Sequence, residues 1–276
     1  MTDRTGVTGS ALLRLLHRLA GSESGPDATH LLNNTPRDFA EQLADWLRWT
    51  EAIRFSAALD ARPQWPARAP HDEARTGSAD GLDAAEARQV RDTLAAAIAE
   101  DARAVAAMTQ VLAPLDPKSA TADAAICRQR YASRQHAMGQ SIARLRERLR
   151  ERMAQRSPEL ARLAAVDSVL EDILGSQEQR LLAPLPGLLG RRFERLQRAD
   201  DAAARDAAAA VSAVEPAPPA ATSQGRRWLP AFSQDMQALL LAELEIRFHP
   251  VQGLVEALRP GPRHRVASQT TTTTTT

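Results

Sequence analysis

Apolar residues in this chain return every three or four positions over long runs, and nowhere do they alternate by two for more than a few residues. That pattern restricts the fold to helices packed by one greasy stripe each. Composition enters on the same side. Of 276 residues, 54 are Ala, aromatics make up 4% and Gly only 13 positions. Ala is the best helix former and a poor filler of sheets, so sandwiches, barrels and Gly-rich nucleotide folds are not expected. The expectation is an all-α chain: an elongated antiparallel helical bundle with long coiled-coil-like helices, a Pro/Ala-rich linker and a disordered C-terminal tail.

The stripes place the elements. A helix over Ser10 to Leu19 turns Leu12, Leu13, Leu15, Leu16 and Leu19 to one side. Thr35-Pro36-Arg37-Asp38 is a start signal, and Phe39, Leu43, Trp46, Thr50, Ile53 and Ala57 carry the second helix to Asp60. Residues 61 to 81, with Pro63, Pro66 and Pro70, read as a loop. A third helix spans Leu82 to Leu112, with Val90, Leu94, Ile98, Val105, Met108 and Leu112 inward. A fourth spans Thr121 to Arg156 with a near-heptad seam of Tyr131, Met138, Ile142, Leu145, Leu149 and Met153, a rod of roughly 54 Å. Ser157-Pro158 opens a fifth helix with Leu160, Leu163, Val166, Leu170, Ile173 and Leu174 on one side, and Gly175 softens or ends it. A sixth covers Leu188 to Ala204.

Residues 1–205 thus form the main bundle. Residues 206–226, with the run Val214-Glu215-Pro216-Ala217-Pro218-Pro219-Ala220-Ala221, read as a solvated linker whose Ala-rich start is able to prolong a helix. Residues 227–258 hold a last long helix from Trp228, closed by His249-Pro250, and a short one from Val251 to Leu258, expected to dock on the bundle. Residues 259–276, ending in seven threonines, form the tail.

Charge is balanced overall, 35 Lys+Arg against 34 Asp+Glu, but segregated along the chain. From Arg128 to Arg156 nine arginines face two acids, with Arg144, Arg146, Arg148, Arg150 and Arg152 alternating. Residues 72 to 101 carry eight acids against three arginines, and residues 159 to 178 five acids against one. Two readings follow. In the preferred one the basic helix lies between acidic neighbours and the charges set pairing and register. In the other the arginines contact a partner, as phosphate-neutralising residues of a nucleic-acid interface, an acidic protein site or a membrane surface. No helix-turn-helix, zinc-finger or RNA-recognition signature and no interleaved aromatics accompany them.

Reactive constellations are sparse. The six histidines show no pair three or four apart, so no helical metal site is spelled out. The single cysteine, Cys127, excludes an internal disulfide and becomes a nucleophile only if His136 or another base approaches it. Asp167 and Glu171 share a face, with Asp172 beside them, but lack the histidines of di-iron bundles and read as solvated acids. Glu243 and Arg247, four apart, read as an ordinary helical pair. Gly6-Val7-Thr8-Gly9-Ser10 lacks the ending of a phosphate loop. No catalytic residue, metal, cofactor or small-molecule substrate is expected. With neither a signal-like start nor a membrane-spanning run, the expected location is cytoplasmic.

Four blocks carry a resemblance: Arg4-Thr5-Gly6-Val7-Thr8-Gly9-Ser10-Ala11-Leu12, Trp46-Leu47-Arg48-Trp49-Thr50-Glu51-Ala52-Ile53, Arg156 to Asp167, and Phe232 to Leu244. Through them residues 4 to 258 resemble a family of proteobacterial proteins known as a domain of unknown function. The resemblance implies no catalytic residues. Genes of that family often sit beside those for a large membrane protein and an OmpA-like peptidoglycan-binding protein, which implies a cytoplasmic accessory role to an envelope complex. The reading from sequence is therefore a non-enzymatic helical interaction or scaffold protein whose partner is a protein, another copy of itself through the Tyr131–Met153 seam, or an envelope complex. The alternative is a nucleic-acid-binding protein using the Arg-rich helix 128–156.

Overall fold

A computed structural model describes residues 12, 14–16, 18, 19, 49–60, 76–108, 117–212 and 226–259 of the chain. Among them there is no strand, and six continuous helices account for nearly all of the backbone. These are α1 (Trp49–Asp60), α2 (Thr76–Ala107), α3 (Pro117–Arg156), α4 (Pro158–Leu182), α5 (Leu185–Ser212) and α6 (Leu229–Leu258). The described residues between 12 and 19 are also helical, with Leu16 and Leu19 buried in the same core.

The break between α3 and α4 follows directly from two residues. Ser157 is extended (φ −157°, ψ 158°), as the residue before a proline must be. Its hydroxyl oxygen accepts the Leu160 N–H at 3.2 Å, and Pro158 fills the first helical turn, where no N–H is needed.

Several boundaries differ from the sequence expectation. The helix α2 starts at Thr76, so the loop ends sooner than residue 81. Gly175 lies inside α4, which continues to Leu182, and α5 begins at Leu185 with Pro186 in its first turn. The Ala207–Ala210 run keeps α5 helical to Ser212, into the stretch expected as linker; the Pro/Ala run itself lies outside the described residues. His249-Pro250 does not end a helix, because α6 runs through Pro250 to Leu258. An interior proline forfeits one backbone bond and costs about 3 kcal/mol. Phe248, Val251, Leu254 and Leu258 are all buried on both sides of it, and their burial outweighs that cost. The helix start at Thr35, Leu112, and the tail beyond Arg259 lie outside the described residues.

The last helix is central, not peripheral. Twelve of its residues are buried, among them Leu229, Phe232, Met236, Leu240, Leu244 and Val251, and it packs along both α2 and α3 while touching α4 and α5. Phe193 of α5 stands edge-on to Trp228 at 4.6 Å and to Phe232 at 5.2 Å, joining α5 to the entry of α6. Where α5 crosses α3, a Cβ on Gly190 would lie 2.9 Å from the Arg128 side chain, which would have to shift to admit it. The α3 seam of Tyr131, Met138, Leu145, Leu149 and Met153 is wholly enclosed by the chain's own helices. Those five side chains are thus covered within the chain, where the sequence reading offered their seam to another copy. Leu163, expected on the inner side of α4, is 42% exposed.

Candidate functional site

The polar residues that the fold brings together lie along α3, in two zones. The C-terminal zone holds the alternating arginines. A spacing of two on a helix turns successive side chains by about 200°, so they divide between opposite neighbours. Arg146 and Arg150 reach α4, where Arg146 meets Asp167 at 2.8 Å and Glu171 at 3.2 Å, and Arg150 meets the same two acids at 3.1 and 2.5 Å. Arg148 and Arg152 reach α2, Arg148 bonding Glu86 at 2.7 Å and Arg152 bonding both Asp83 and Glu86. Arg144 stays local, donating to the carbonyl and side-chain oxygens of Gln140 in its own helix. Asp101 of α2 takes Arg134 at 2.5 Å and Arg130 at 3.2 Å higher up.

These pairs explain the ionisation of the zone. Burial pulls the Glu86 carboxyl upward, but hydrogen bonds from Arg152 and Arg148 outweigh it and hold the group below the ordinary carboxylate range. Asp167 is 9% exposed and bonded to two guanidinium groups, so it is not the solvated acid its spacing suggested. Asp172 faces the other way and pairs with Arg54 of α1 at 2.6 Å.

The second zone lies along the α3–α6 contact. Here Asp123 accepts from Arg226 at 2.7 Å with both side chains nearly enclosed. One turn on, Cys127 is 1% exposed, and burial, with the nearby Asp123 charge second, pushes its thiol up to about 11. His136 is exposed and bonded to Gln140, so the cysteine–histidine pair needed for nucleophilic chemistry is not assembled. Next comes Glu243 of α6, with no exposed surface. Its carboxylate accepts from the Tyr131 hydroxyl, and from the Gln135 amide at 3.0 and 2.9 Å. Arg247 stands 3.8 Å from Glu243 but 2.6 Å from Glu178 of α4, so the expected i, i+4 pair is the weaker of its two contacts. At the far end Arg156 donates to the last carbonyl of α6, that of Leu258, at 2.7 Å.

Beside this second zone a groove of about 560 Å³ opens between α3, α4 and α6, with Gly139, Ile142, Leu174, Glu178 and Arg247 among its walls. Among the described residues no group of three or more His, Cys, Asp and Glu side chains is placed to hold a metal ion. None of their helices is long and apolar enough to cross a membrane.

Sequence reasoning found the arginines and their acidic neighbours but missed the Tyr131–Gln135–Glu243 cluster. The available signal was Glu243 itself, an acid on the apolar side of a helix among Met236, Leu239, Leu240 and Leu244.

Fold and site together define an all-helical protein whose polar residues hold its own helices in register. The chain belongs to the family described as a protein of unknown function (DUF3348), whose model matches residues 1–260. No curated protein and no solved structure matches it.

Proposed function

We propose that this chain is a non-enzymatic helical scaffold that binds another protein, built as a largely antiparallel bundle with coiled-coil-like packing along α2, α3 and α4. The order of the contacts supports the arrangement: Asp83, Glu86 and Asp101 of α2 meet Arg152, Arg148 and Arg134 of α3 in reversed sequence. The α3–α6 contacts instead climb together, from Asp123–Arg226 through Gln135–Glu243 to Arg156–Leu258, so α6 is the parallel member.

One observation carries the functional reading. Four of the five alternating arginines are committed to acids of α2 and α4 and are thereby withdrawn from phosphate contacts. The resemblance adds a cytoplasmic setting and an envelope-associated complex as the assembly it serves. Affinity capture of the full chain from its source organism, followed by reconstitution of the complex from both purified components, tests the proposal. The expected result is a complex of fixed stoichiometry that persists from about 50 to 200 mM salt, the range over which phosphate contacts weaken steeply. DNA or RNA binding that falls steeply with salt, without such a complex, overturns it in favour of a nucleic-acid interface on residues 128–156.

A further inference from the structure

Glu243 is a carboxylate with no exposed surface on the helix that closes the core. The groups facing it come from three elements. Tyr131 and Gln135 of α3 donate to it, Arg247 of its own helix stands 3.8 Å away, and Glu178 of α4 holds that arginine at 2.6 Å. Of the other helices packed on α6, α2 brings Arg91 to Glu245 and Asp101 to Arg134, and α5 pairs Arg192 with Asp235, charges already paired elsewhere. Arg247 thus sits between two carboxylates with its Nε unpartnered, one acid at the groove and one in the interior. Gly139 leaves room beside it: a Cβ there would be 3.6 Å from Arg247 Nη1.

We propose that Glu243 is a proton-linked switch at the α3–α6 contact, which exchanges Arg247 between Glu178 in the groove and its own carboxylate inside the bundle. With Glu243 protonated, the interior carries no net charge and Arg247 remains on Glu178. Loss of the proton leaves a buried anion with Arg247 the cation standing beside it, and the arginine turns inward. Glu178 is then released at the wall of the groove, so the charge of that surface changes with pH.

Burial raises the Glu243 carboxyl above the ordinary value of 4.5; donation from Tyr131 and Gln135 and the charge of Arg247 oppose this, and Glu178 adds to it. The folded state therefore holds the proton more tightly than the unfolded chain, and stability falls as pH rises from 4.5 to the folded titration point.

The test is carboxyl NMR on the full chain labelled at glutamate, with urea unfolding as a function of pH. Glu243 is expected to titrate above 4.5 in the wild type. Relative to Glu243→Gln, the wild-type folding constant should drop by up to about tenfold per pH unit across that window. Glu178→Gln should move the Glu243 titration downward, by removing a like charge and freeing Arg247; Arg247→Met should move it upward. The switch is overturned if Glu243 titrates at or below 4.5, or if Glu178→Gln leaves its titration in place. Should Glu243→Gln fail to fold, the wild-type titration and its response to Glu178→Gln decide the matter alone.

Discussion

The two halves of α3 solve the same problem, holding a neighbouring helix in register, with opposite chemistry. The C-terminal half uses many charges, shared among Arg146, Arg148, Arg150, Arg152 and the acids of α2 and α4, with Arg148 exposed at the edge of the bundle and Asp83 and Asp167 buried. The other half uses few polar groups and buries them: Asp123 with Arg226, and Glu243 with Tyr131 and Gln135. An exposed pair such as Arg148–Glu86 contributes little and tolerates loss, because water replaces a missing partner. Interior pairs contribute little net stability yet fail sharply when one member is removed, because the other is stranded without solvent. The contrast teaches that charge density along a helix is a poor guide to where its polar residues matter.

The largest effect is expected at Arg226. Arg226→Met strands Asp123, whose side chain is 6% exposed, and should cost about 3–5 kcal/mol in urea unfolding. A loss under 1 kcal/mol (about the value of an exposed pair) would erase the distinction between the halves. Asp167→Asn comes next. It leaves Glu171 as the one carboxylate facing Arg146 and Arg150, and the expected loss is about 1.5–3 kcal/mol, the worth of hydrogen bonds to charged groups. Arg148→Ala removes an arginine whose side chain is 45% exposed, and thermal denaturation should register less than about 1 kcal/mol. Arg144→Ala, touching only Gln140, should stay within about 0.5 kcal/mol and so serves as the baseline.

Acid titration sharpens the same contrast by sign. Glu86 is held below 4.5 by its arginines, so its contribution is present above 4.5 and fades as pH drops through the depressed value. Glu243 has the opposite slope. Glu86→Gln should therefore flatten the acid limb of a stability–pH curve, whereas Glu243→Gln should flatten the limb above it.

How much of this could be read from the residues alone depended on whether a signal was local. The Ser157-Pro158 start is local, requiring only a hydroxyl and a proline in adjacent positions, and the structure shows both acting there. The α3 seam was legible for a similar reason, since its heptad-like spacing sets one face whatever covers it. The acidic runs before and after the arginines pointed to their partners, but Arg148 and Arg152 turning to α2 while Arg146 and Arg150 turn to α4 needed the geometry. Pro250 and Gly175 misled because their propensity costs are real but smaller than the burial gained by residues on either side. The Glu243 cluster was hidden by distance: its partners Tyr131 and Gln135 lie 112 and 108 positions away in the chain. No periodicity reports such a pairing.

The position of α6 has a consequence for how the molecule comes into being. Its contacts with α3 join residues 102 to 112 positions apart, and it follows the other described helices in the chain. Contacts so distant along the chain are slow to form. A ribosome delivering the chain from its N-terminus must release residues 229–258 before Tyr131, Met138 and Ile98 find cover. Until then the nascent bundle presents a greasy trough to its surroundings, and a premature stop before Leu229 would leave a product suited to chaperone capture or degradation.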